Sequence, residues 1–198
     1  MDRSALIRKI QIRMDELTPI GENITHPFEN SINSILDESH RQLLSECPVH
    51  LLTVKDISED VTYDLTGSIA YVKRPNKFLR LVRFKFSDWI NPATKFITQD
   101  HPEYKIIENG VIRGGKVNPV VVLIHKDLVR CFACYQVSTD NSKQYLYYIE
   151  EGEIEDLDDK VTDALAWLTC AKLMQVFDIA GFEKAADRYK EFMISNMH

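Results

Sequence analysis

The sequence predicts an α+β fold in which helices from both ends of the chain enclose a central β-rich region. Apolar residues recur at helical spacing in residues 2–46 and 157–196, whereas the middle of the chain holds runs of β-branched and aromatic residues. The 198 residues are 44% hydrophobic and 27% charged, as in ordinary globular proteins. We therefore expect an antiparallel helical bundle, built from an N-terminal and a C-terminal helical hairpin, with a mainly antiparallel β-sheet or half-barrel inserted. The expected boundaries assign residues 1–60 and 150–198 to the bundle and 61–149 to the β domain.

The first hairpin is predicted from two apolar stripes. The first helix spans residues 2–17 with Asp2 or Ser4 as its cap, and Pro19 and Gly21 end it. A second helix is expected to open near Pro27 and to run as far as residues 47–48. The inward-facing residues are Leu6, Ile7, Ile10, Met14 and Leu17 in the first helix, and Phe28, Ile32, Ile35, Leu36, Leu43 and Leu44 in the second.

About five strands are expected in the middle of the chain, enough for a small stable sheet. Two lie in residues 68–86 on either side of the basic segment 73–77, a hairpin is expected in residues 119–137, and residues 144–149 supply another strand. Strict alternation in the second strand predicts two mixed faces. One face would carry Phe78, Arg80, Val82, Phe84 and Phe86, and the other Leu79, Leu81, Arg83 and Lys85.

The C-terminal hairpin follows the acidic run 150–159, which lies where negative charge favours the start of a helix. The first of its helices is expected to end near Gly181. Apolar spacing defines the two helices by Val161, Ala164, Leu165, Leu168, Ala171 and Met174, and by Phe182, Ala185, Ala186, Tyr189, Phe192 and Met193.

The charge balance and the N-terminal sequence narrow the possible surroundings of the protein. A formal net charge of -6 does not favour nonspecific attraction to DNA or anionic lipid. The N-terminal residues contain no continuous apolar run, so neither a signal peptide nor a membrane span is expected. The four cysteines, Cys47, Cys131, Cys134 and Cys170, are expected to be buried thiols.

The sequence contains no catalytic constellation that we recognise, and we assign no catalytic, cofactor-binding or metal-binding residue. Cys131 and Cys134 have the CxxC spacing of zinc or redox sites, but residues three apart in a strand point to opposite faces. The six histidines form no HxxxH or HxH pair, and no nucleotide-binding glycine motif occurs. The alternative left open is a divalent-metal site for a nuclease, formed by Asp56, Glu59, Asp60 and Asp64 with Lys73 as the base.

Several segments resemble the neck ring proteins, also called head-tail adaptor or head completion proteins, of tailed bacteriophages, most closely those of crAss-like phages. The central segments that carry this resemblance are residues 75–81, 88–89, 101–104, 109 and 118–119. Residues 163–171 and 182–189 are similar to the alanine-rich helical hairpin that ends many portal-adaptor proteins.

The resemblance implies a structural virion protein, made in the host cytoplasm, that is not an enzyme. Such a protein forms a closed ring, usually of about twelve copies, that connects the portal to the tail. Its expected partners are itself, the portal protein and other neck or tail ring proteins, with no cofactor and no membrane. DNA would pass through the lumen without sequence-specific binding.

Opposite charges on two neighbouring subunits are expected to set the register of the ring. The expected subunit interface comprises Arg80, Arg83, Lys85, Trp89, Glu150, Glu151 and Glu153. The alternative function is a small phage-encoded metal-dependent nuclease, or a host-directed regulatory binding protein.

Overall fold

The computed structural model describes residues 2–18, 29–57, 63–66, 68–93, 96–109, 114–125, 128–132 and 144–197. The chain forms two compact units, a helical unit of residues 1–53 and 151–198 and a β unit of residues 54–150. The sequence placed these boundaries after residues 60 and 149. The mixture of helices and two sheets confirms the α+β class.

The helical unit is organised around one apolar helix. The helical unit contains α1 (Arg3–Leu17), α2 (Glu29–Glu46), α4 (Asp159–Val176) and α5 (Phe182–Ser195). The short helix α3 (Tyr104–Glu108) belongs to the β unit. Eleven of the 18 residues of α4 are buried, and α1, α2 and α5 all pack against it. A helix that is apolar on nearly every side is stable only when neighbours surround it, which explains its central place.

Polar caps begin two of these helices. The Asp2 carboxylate accepts a hydrogen bond from the Ala5 amide at 2.7 Å, and Asp158 accepts one from the Lys160 amide at 2.8 Å. Each cap satisfies an amide that has no partner within its helix. None of the helices in the described ranges has the length and apolarity that a bilayer crossing requires.

The β unit contains two sheets in its described part. Their strands are β1 (Val54–Asp56), β2 (Tyr63–Thr66), β3 (Ile69–Lys73), β4 (Phe78–Lys85), β5 (Phe96–Thr98), β6 (Val121–His125), β7 (Leu128–Phe132) and β8 (Tyr145–Glu150). One sheet has the order β1-β8-β4 and the other β2-β3-β7-β6-β5, and among these described strands only the β5–β6 pair is parallel. Strands β1, β2 and β5 are three or four residues long, too short for an alternation pattern to reveal them in the sequence.

Candidate interaction surface

Two register shifts in β4 bring three basic side chains to the same face of the three-stranded sheet. The β4–β8 pairing shifts between Phe78 and Arg80 and again between Leu81 and Arg83. Each shift leaves one residue of β4 without a partner in β8, as in a β-bulge, and so resets the alternation of side chains. The alternation predicted from the sequence, which separated Arg80 from Arg83 and Lys85, is therefore wrong.

Two tyrosines of β8 lie beside these basic residues. Arg83 is directly opposite Tyr147, and Lys85 is opposite Tyr145, so the side chains share one face. The two tyrosine rings stack with their centroids 5.1 Å apart and their planes inclined by 17°. We call Arg80, Arg83, Lys85, Tyr145 and Tyr147 the cationic–aromatic face.

Two of the charged groups of this face, those of Arg83 and Lys85, are available to a partner. Arg83 is exposed, and the other four residues are half-buried. Among the described residues, neither Arg83 nor Lys85 has an ion-pair or hydrogen-bond partner for its charged group. Strand β8 pairs with β1 along its other edge, where Asp56 is opposite Tyr147. Asp56, Tyr147 and Arg83 therefore form a row of side chains across the three strands.

The opposite face of the same sheet packs into one of the two apolar clusters described in the β unit. Leu81, Phe84, Leu146 and Tyr148 are buried there, and the Phe78 and Tyr148 rings stack at 5.6 Å. Burial raises the pKa of the Tyr148 hydroxyl. Because a one-residue slip would expose this apolar set, the core stabilises the register that gathers the basic residues on the other side.

Trp89 belongs to this core and not to a surface. Its side chain is 2% exposed, and its ring contacts Phe84 edge-on at 5.5 Å and Phe86 at 6.2 Å. Trp89 was predicted to lie in the subunit interface, and in this structure it is buried within its own unit. Sequence alone does not distinguish a tryptophan that fills a core from one that anchors an interface.

The three predicted acidic interface residues differ in their surroundings. Glu150 ends β8 and forms an ion pair with Lys55 at 3.6 Å. Glu151, in the helical unit, forms an ion pair with Arg41, and Glu153 of the same unit is exposed. The predicted acidic residues are thus divided between the two units of the chain.

An acidic turn follows Glu151 in the helical unit. Glu153, Glu155 and Asp156 are exposed around a short 3₁₀ helix, Ile154–Asp156, whose Ile154 is 3% exposed. The buried Ile154 anchors the turn in the core of the helical unit. We call Glu153, Glu155 and Asp156 the acidic turn.

The residues considered for a nuclease site lie only partly within the described ranges. Asp56 is exposed in β1, Glu59 and Asp60 lie outside the described residues, and the side chain of Asp64 is also outside them. Within the described ranges, no group of three His, Cys, Asp or Glu residues is arranged to hold a metal ion. Cys131 is buried in β7, and Cys134 falls outside the described part of the chain.

A cleft of about 720 Å³ opens in the helical unit where the start of α4 meets the end of α5. Its lining includes Lys9, Lys160 and Asp163, and the Lys9 ammonium contacts the Asp163 carboxylate at 2.6 Å. Asp163 also binds Arg13, so it is occupied in holding α1 to α4. We therefore assign this cleft no catalytic role.

No protein-family model matches the chain, and a search of curated proteins finds no significant match. Function is therefore inferred from the surfaces of the molecule itself. The sequence signal for Tyr145 and Tyr147 is their i, i+2 spacing in β8, which in a strand places both rings on one side.

Proposed function

We propose that this protein is a structural virion protein that forms a ring in the neck of a tailed bacteriophage. The ring connects the portal to the tail and encloses the channel through which DNA leaves. The cationic–aromatic face is the observation that supports this proposal most directly, because Arg83 and Lys85, which have no partner for their charges among the described residues, lie beside stacked aromatic rings. Arginine and tyrosine are among the residues that contribute most energy at protein interfaces.

A closed ring of identical subunits needs two different surfaces on each copy that fit one another. The cationic–aromatic face supplies one such surface. In the proposed ring, about twelve copies associate in this head-to-tail manner, as in the family that the sequence resembles. The portal protein and other neck or tail ring proteins are the proposed partners above and below.

The helical unit has a structural role in this proposal. The proposed arrangement is an antiparallel bundle of two hairpins, α1 with α2 and α4 with α5. The Arg3 guanidinium supports the first pairing, because it donates hydrogen bonds to Asn33 at 2.6 Å and to Asp37 at 2.7 Å. Such a bundle gives the helical unit a rigid scaffold.

The net charge is consistent with a conduit for DNA. A chain of net charge -6 does not attract phosphate as a whole, so a lumen made from it would not hold back the genome. DNA passes without sequence-specific contacts, and the proposed protein carries out no chemical reaction.

Electron microscopy of the protein mixed with the portal tests this proposal. We expect closed rings on the portal and the protein in purified virions. Protein that stays monomeric with the portal and is missing from virions would overturn the proposal. Magnesium-dependent DNA cleavage that is lost in Asp56→Ala would instead support the nuclease alternative.

A further inference from the structure

We infer that the cationic–aromatic face of one copy binds the acidic turn of a second copy. This inference rests on the proposed function and names the two surfaces that meet at each subunit contact. The face belongs to the β unit and the acidic turn to the helical unit, so every copy carries two different surfaces. Their pairing between copies is the heterologous contact from which rings are built.

Charge complementarity identifies the occupant of the face. The charged groups of Arg83 and Lys85 have no partner in the described part of the chain, and Glu155 and Asp156 of the acidic turn are exposed. Unlike charges that meet across an interface set its register and exclude wrong partners. The stacked rings of Tyr145 and Tyr147 form an aromatic surface beside the cations, against which a turn can pack.

The same face is less suited to nucleic acid. Asp56 lies in one row with Tyr147 and Arg83, so a carboxylate borders the cations. With a carboxylate in this row, the face is not uniformly basic as a groove that tracks a phosphate backbone is, whereas a compact acidic turn need contact only the basic end. The tyrosine rings also stack on each other, so each has one face covered.

Two charge-reversed variants test the contact in purified protein without the portal. Arg83→Glu/Lys85→Glu makes the face acidic, and Glu155→Lys/Asp156→Lys makes the turn basic. Each variant alone would place like charges together, and we expect its self-association to be at least about a hundredfold weaker than that of the wild type. Sedimentation velocity over a range of concentrations measures this difference.

An equimolar mixture of the two variants provides the decisive measurement. When copies of the two variants alternate, the acidic face of one variant meets the basic turn of the other. The unchanged basic face of the second variant meets the unchanged acidic turn of the first. Every contact therefore joins opposite charges. We expect the mixture to recover the association of the wild type, and to weaken with added salt because the surfaces are exposed. Failure of the mixture to associate better than either variant would refute the pairing.

Matched variants control for the change in net charge. Arg8→Glu/Lys105→Glu and Glu16→Lys/Glu191→Lys make the same changes at exposed positions outside both surfaces, and both should associate as the wild type does. Circular dichroism establishes that every variant is folded. If single-stranded DNA binds the wild type and is lost only in Arg83→Glu/Lys85→Glu, and mixing restores no association, nucleic acid is the occupant and the inference is wrong.

The inference and the proposed function can fail separately. Wild-type protein that stays monomeric at every concentration overturns the inference, even if rings form on the portal. Variants that assemble like the wild type also overturn it. Absence of the protein from virions and from portal complexes overturns the proposed function, whatever the variants do in isolation.

Discussion

Replacing Gly181 with alanine should destabilise the helical unit more than any other glycine substitution that the structure allows us to assess there. Gly181 precedes α5 with φ of 100° and ψ of 0°, in the left-handed region. An added Cβ would lie 2.8 Å from the carbonyl oxygen of Leu17 and 3.1 Å from the Cε of Met174. Two separate costs therefore follow from one methyl group.

The magnitude can be estimated from these two costs. Holding alanine in the left-handed region costs about 1 kcal/mol relative to glycine. The contact with Leu17 involves a backbone oxygen, which cannot rotate away as the end of a flexible side chain can. Overpacking of this kind typically adds about 1 to 3 kcal/mol. We therefore expect Gly181→Ala to lower the free energy of unfolding by about 2 to 4 kcal/mol.

Urea unfolding followed by far-ultraviolet circular dichroism measures this loss as a lower midpoint with an unchanged slope. Gly152→Ala is the matched control in the same unit, because its Cβ would meet only the Oδ2 of Asp156 at 3.7 Å. We expect this control to stay within about 0.5 kcal/mol of the wild type. A Gly181→Ala variant as stable as the control would refute the close packing of α1 against the α4–α5 turn.

Three further predictions concern side chains of the helical unit. Burial lowers the pKa of His40, so the unfolded chain takes up the proton first, and the free energy of unfolding should fall as the pH drops below about 6.5. Denaturation at several pH values should show a smaller fall in His40→Gln, and an equal fall would contradict the assignment. Asp163→Asn removes the carboxylate bound to Arg13, whose side chain is 11% exposed, and should cost about 1 to 3 kcal/mol in urea unfolding. Asp187→Asn, which breaks only an exposed pair with Lys190, should cost less than about 0.5 kcal/mol, and equal losses would contradict the reasoning. Burial raises the pKa of the Cys170 thiol to about 12, so iodoacetamide in mildly alkaline solution should modify it only after denaturation, as peptide mass spectrometry would show. Rapid modification of native protein would contradict its burial.

Local patterns in the sequence identified most of the long elements. The stripe from Val161 to Met174 predicted α4, because helical periodicity needs only neighbours within a few turns. For the same reason the sequence offered Asp2 or Ser4 as the cap of α1, and Asp2 is the residue that caps it. The alternation in residues 78–85 predicted the existence of β4.

Only the tertiary structure decided which side chains share a surface. The shifts in β4 arise from its pairing with β8, a strand distant in the sequence, and they place Arg80 beside Arg83. Nothing local to β4 encodes that pairing, because a bulge depends on the partner strand and on the core that fixes its register. The sequence by itself thus determined the α+β class and the long helices, whereas long-range packing determined that Trp89 is buried and that the cationic–aromatic face exists.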